Sequence, residues 1–152
     1  MAQEPDAAKA KASYDGQAAI EGLHRCRQAS PERLVLLHKL RASARICPFA
    51  ALALACLLEA SQRPHRPWRL RLSTIQYGNA VKLGKKRLAS KPKPSIDRYG
   101  LALRHTAVEA LRHLAIQALE QSDRQSATEY LAMADQIVPS GSSPAEEFWN
   151  LL

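Results

Sequence analysis

Ser30–Ser61 reads SPERLVLLHKLRASARICPFAALALACLLEAS, and two helix starts are written into it. Ser30 can accept one of the free amides of a first turn. Pro31 suits the first helical position, where no donor is needed, and Arg33 stands where a capping box would place an acid. Leu34, Leu36, Leu37, Leu40 and Ala44 then form an apolar stripe at helical spacing. Cys47 precedes Pro48, whose ring disfavours helical geometry at the residue before it, so the first helix should end there. Pro48 opens a second helix, Phe49 to Ser61, which is apolar nearly all round and belongs in a core. Two helices around a short turn make a hairpin. The chain is therefore expected to be all-α, a compact bundle of about five to seven helices built from helical hairpins. Composition agrees. Hydrophobic residues make up 46% and aromatic ones 5% of the 152 residues, and Ala and Leu lose little freedom in a helix, whereas strands favour aromatic and β-branched residues.

Downstream, Gln62–Pro67 holds two prolines and reads as an extended or loop segment that ends the second helix. Trp68–Tyr77, WRLRLSTIQY, fits two readings. Trp68, Leu70 and Leu72 alternate with Arg69, Arg71 and Ser73, the period of a short strand. A helix beginning around Ser73 and running through Ala80, Leu83 and Leu88 fits as well, and a lone strand has no obvious partner. Ser90–Ser95, SKPKPS, reads as a loop. The longest helix is predicted from about Asp97 to Ser122, on Leu101, Val108, Leu111, Ala115 and Ala118, and another from Asp123 to Ile137. After the connector Ser140–Ser143, Pro144–Leu152 (PAEEFWNLL) reads as a short amphipathic helix with Glu146 and Glu147 in its first turn. Upstream, residues 1–15 read as a flexible tail and Gln17–Gln28 as a helix. The organisation expected is thus a tail (1–15), a helical domain (16–139) and a linker with its short helix (140–152).

Charge is concentrated in one place. Arg63–Arg104 holds twelve Lys or Arg and one acid, Asp97, so it carries +11 while the whole chain carries +8. Residues 105–152 hold two bases and seven acids. Clustered bases attract polyphosphates through charge and counterion release, and arginine adds bidentate contacts and stacking. Arg66, Arg69, Arg71, Lys82, Lys85, Lys86, Arg87, Lys91 and Lys93 are the candidate phosphate contacts. Trp68 and Tyr77 are candidates to stack on nucleobases or to pack beneath the bases. The functional expectation is a small nucleic-acid-binding accessory protein, for DNA or RNA, that reads no particular sequence. The alternative is a helical interaction module or assembly subunit whose basic segment meets an acidic protein partner.

Other patterns weigh less. Ala80-x3-Gly84 copies the small-residue pair of a helix-turn-helix, with Lys85 onward as recognition helix, but Pro92 would interrupt that helix after about two turns. Leu111-x2-Leu114-Ala115-x2-Ala118 followed by Ala127-x3-Leu131-x2-Ala134-x4-Pro139 resembles a tetratricopeptide repeat, in which small residues let two antiparallel helices approach. It departs from that pattern at Leu111 and Ala118, where bulky aromatics belong, and at Ser122, where the turn usually has Gly. A plain Ala/Leu hairpin fits the same spacing and carries no function. His105, Glu109 and His113 share one helix face, and His24, Cys26, Cys47 and Cys56 are a nominal thiol–imidazole set. A solvated face and small buried thiols explain both without metal. Three cysteines are no disulfide framework. With no signal peptide, no spanning segment, no Gly-rich phosphate loop and no nucleophile elbow, the expectation is a cytoplasmic protein without membrane attachment, enzymatic motif or cofactor.

Overall fold

Proline opens four of the six helices found among the described residues. The structure is a computed structural model that describes residues 31–60, 67–89, 98–138 and 142–151. The helices are α1 (Pro31–Ala44), α2 (Pro48–Ala60), α3 (Pro67–Ala89), α4 (Arg98–Glu120), α5 (Arg124–Ile137) and α6 (Pro144–Leu151). No strand occurs among the described residues, and the fold is all-α. The tail, the first expected helix, Ser30 and the Lys-Pro loop lie outside the described residues.

Of the two readings of Trp68–Tyr77, the helix is the one found. Pro67 is the first residue of α3, a continuous helix of 23 residues, while the rest of the expected Gln62–Pro67 loop lies outside the described residues. A proline there loses nothing, because the first amides of a helix have no internal acceptor, and its fixed φ is already helical. Ser73 and Tyr77 are then buried on one side, with Arg71 exposed on the other. The helix-turn-helix reading fails for a related reason. The helix passes through Gly84 without a turn, since an interior glycine costs only about 1 kcal/mol.

Packing divides the chain into two units, Met1–Ala80 and Val81–Leu152, with the boundary inside α3. In the first, α1 and α2 form the expected hairpin. Its core holds Leu40, Ala44, Ala50, Ala51, Leu54 and Ala55, all nearly inaccessible. The turn is closed by Cys47 N–H donating to Ser43 O at 2.8 Å. The stripe expected on α1 is only partly inward, because Leu34 is 63% exposed.

In the second unit, the last turns of α3 lie against α4. A Cβ added at Gly84 would stand 3.4 Å from Ala107 Cβ and 3.6 Å from the carbonyl oxygen of Leu103, so the two backbones approach as closely as small residues allow. Next, α4 and α5 make a hairpin whose core is Ala115, Ala118, Ala127 and Leu131, closed by Phe148 of α6. The C-terminal helix is therefore part of this core.

Polar groups shape the joints. After α4, Asp123 N–H donates to Ala118 O at 2.8 Å and Ser122 N–H to Leu119 O at 2.9 Å. This is a Schellman ending, and Ser122 takes the left-handed residue's place with φ 59°. Asp123 then caps α5, accepting from Ser126 N at 3.0 Å and from the Ser126 hydroxyl at 2.6 Å. Asp135, near the end of α5, accepts from Ala145 N at 3.0 Å and from the Ser143 hydroxyl at 3.1 Å. Ser143 Oγ in turn accepts from Glu146 N at 3.1 Å, so the start of α6 is fastened to α5.

Two outcomes follow from these joints. Glycine adopts the left-handed conformation without the side-chain clash that serine suffers. Ser122→Gly should therefore raise unfolding free energy in urea titration by roughly 0.5–1 kcal/mol, after the extra freedom of glycine in the unfolded chain is offset. The bonds from Ser126 lower the pKa of Asp123 below the usual carboxylate range. Its stabilisation is present above the unfolded-state pKa and is lost as pH falls through the lower folded value. Asp123→Ala should therefore lower the thermal midpoint at neutral pH and should change it least in strong acid.

Candidate functional site

The buried stripe of α3 fixes where its bases point. Ser73, Tyr77, Ala80, Val81, Gly84 and Arg87 are buried, at intervals of three and four residues. Lys82, Lys85 and Lys86 occupy the opposite, exposed side. Three and four residues separate Lys82 from Lys85 and Lys86, about 4.5 and 6 Å along the helix axis. Lysines 85 and 86 also lie near the helix C-terminus, where positive charge complements the backbone dipole. Arg71, in the first unit, is exposed as well.

Two of the expected contacts are turned inward. Tyr77 is fully buried in the first unit, and its hydroxyl donates to a carboxylate oxygen of Glu59 and lies 3.6 Å from Cys56 Sγ. Burial first, and the bond to Glu59 second, push the phenol well above the usual tyrosine range. Such a ring packs beneath the surface and cannot stack on a nucleobase. Arg87 is 9% exposed, and its Nη1 donates to the Tyr99 hydroxyl at 2.8 Å. It joins α3 to α4 instead of facing a ligand. The backbone of Trp68 and Arg69 lies in the first turn of α3. Arg66, Lys91 and Lys93 lie outside the described residues. Lys82, Lys85 and Lys86 thus share the exposed side of α3, while Tyr77 packs beneath the surface and Arg87 is buried.

The other polar patterns are spent on structure. Glu109, the middle member of the His105–Glu109–His113 series, accepts from Arg112 Nη1 at 3.0 Å. No group of three or more metal-ligating side chains converges among the described residues. Of the thiols, Cys47 is buried and Cys56 half-buried beside Tyr77, while His24 and Cys26 lie outside the described residues. No helix among the described residues is long and apolar enough to cross a membrane.

A second surface feature went unforeseen. Between α4 and α6 lies a groove of about 560 Å³. Its apolar lining is Ile116, Leu119, Phe148 and Leu151, and the remaining lining comes from Glu109, Arg112, His113 and Glu120. Arg112 spans the two helices, giving Nη2 to Glu147 at 3.3 Å while Nη1 holds Glu109. Both outer nitrogens are committed to glutamates, and Nε is buried without a hydrogen-bond partner. Arg112 therefore offers the groove no spare positive charge. The other base of this region, Arg124, lies 5.2 Å over the Trp149 ring in a cation–π contact. The hint in the sequence was Ile116, which falls one position outside the inward stripe of α4.

Comparison with protein-family models, curated proteins and solved structures finds no match to this chain. The α4–α5 pair is an Ala/Leu hairpin with Ser122 in the position of the turn glycine.

Tyr77→Phe separates packing from recognition. Loss of a buried hydroxyl bonded to a carboxylate should lower unfolding free energy by about 1–3 kcal/mol in denaturant titration. Any polyanion affinity should be unchanged in the folded variant, because the ring does not reach the surface.

Proposed function

We propose that the chain binds nucleic acid through phosphate contacts from Lys82, Lys85 and Lys86, without reading its sequence. The observation that carries the reading is the placement of these three lysines on one exposed face of α3, with no acid between them. Their axial spacing lets neighbouring ammonium groups reach neighbouring phosphates. Lysine meets phosphate as a compact point charge, and such contacts fix position without distinguishing bases. The inward turn of Tyr77 and Arg87 fits the same reading, because it leaves the lysine charges as the main attraction on the face around Lys82, Lys85 and Lys86.

Fluorescence anisotropy with labelled duplex DNA, single-stranded DNA and RNA over a salt series tests this. Affinity should fall linearly on logarithmic axes as salt rises, and replacing all three lysines with alanine should reduce the slope for duplex by about 3. Absence of binding at low salt, or a slope unchanged in the triple variant, would overturn the reading. Lysine-dependent capture of an acidic protein with no nucleic-acid affinity would assign the face to a protein partner instead.

A further inference from the structure

We infer that the groove between α4 and α6 is a docking site for α1 of a second copy of this chain. This inference stands apart from nucleic-acid binding, since Lys82, Lys85 and Lys86 take no part in it.

The groove is open and mostly apolar. It presents Ile116, 40% exposed, and Leu151, 83% exposed. Its region holds two bases against seven acids. Both bases are occupied, Arg112 by Glu109 and Glu147, and Arg124 by the Trp149 ring. Glu120, on the groove's lining, is exposed. An occupant should therefore bring apolar side chains together with positive charge.

The outer face of α1 has that chemistry. Leu34, Val35, His38, Arg41 and Ala42 are all exposed and fall at helical intervals, and Arg45 continues the series just past the helix end. Leu34 and Val35 are 63% and 54% exposed, a pair of large apolar side chains on the outside of a helix whose other side packs on α2. Lys39 adds another exposed base. An amphipathic helix laid in an apolar groove is a common recognition mode, anchored by residues three and four apart.

Charge selects the pairing. Groove against groove would set acid beside acid, and α1 against α1 would set base beside base. Of these three pairings, α1 against the groove joins opposite signs while covering both apolar faces. Such a contact uses two different patches, so it is heterologous. It closes into a ring or propagates as an open chain, depending on the rotation between copies.

Sedimentation velocity of the full chain over micromolar concentrations tests this. The wild type should self-associate reversibly. Leu34→Asp with Val35→Asp, or Ile116→Asp with Leu151→Asp, should each weaken association by about 10-fold or more, because a charge is forced into an apolar contact. The decisive arm mixes the two variants. Each supplies one intact surface, so a one-to-one complex should reappear. Circular dichroism and a cooperative melt establish that each variant is folded. If either pair of substitutions unfolds the chain, Arg41→Glu with Arg45→Glu and the separate Glu120→Lys replace it as surface variants, with the same expected loss alone and recovery on mixing. A wild type monomeric at every concentration would overturn the inference. So would association indifferent to both surfaces, or folded variants that fail to recover on mixing. Groove variants that abolish association while α1 variants do not would point to groove-to-groove pairing and equally overturn it.

Discussion

Proline at the first helical position is the constraint from which the rest of this structure proceeds. Pro31, Pro48, Pro67 and Pro144 each begin a helix. The ring fixes φ near the helical value, needs no acceptor for its missing N–H, and holds the preceding residue out of helix. At Pro48 and Pro144 the preceding residues, Cys47 and Ser143, stand outside helix accordingly. Because α3 is one continuous helix, burial of its stripe sets Tyr77 and Arg87 on the inner side and Lys82, Lys85 and Lys86 on the outer side. A short strand, or a break at Gly84, would have directed the same bases elsewhere.

Packing of small residues then lets the helices approach, and polar side chains decide how they join. Ala115, Ala118 and Ala127 keep α4 and α5 close, and Gly84 does the same where α3 meets α4. Such contacts bury little area each, so orientation depends on the joints. Asp123 caps α5, while Asp135 and Ser143 fasten α6. Arg112 links α4 to α6 through Glu147. The link is part-exposed, and ion pairs of that kind contribute modestly. Phe148 in the core is the stronger hold on α6.

Much of the architecture was legible in the residues. Ser30-Pro31 and Cys47-Pro48 marked the first hairpin, and the alanine spacing after Leu111 marked the second. Pro67 misled because the same ring that begins a helix also ends one, and Trp68–Leu72 alternates in polarity by coincidence with a strand. The candidate site was legible as composition and less so as geometry. Bases can be counted in sequence, but whether Arg87 faces water or Tyr99 depends on helix phase and on a neighbour from another helix. The groove was less legible still. Ile116 and Leu151 become a surface feature only when α6 folds onto the hairpin, and the bond that brings it there, Asp135 to the first turn of α6, joins residues with no periodic relation. The division of the chain within α3 has no marker in composition, since one uninterrupted helix crosses it.

The inner face of α3 is structural, and its outer face at Lys82, Lys85 and Lys86 is the surface we propose for nucleic acid. Residue-resolved NMR titration of the full chain with a short duplex measures this most directly. Resonances of Lys82, Lys85 and Lys86 should shift progressively with added duplex. Those of Ile116, Phe148 and Trp149 should stay in place, as should the Tyr77 ring. Shifts centred on the α4–α6 groove, or none at the three lysines while duplex binds, would contradict it.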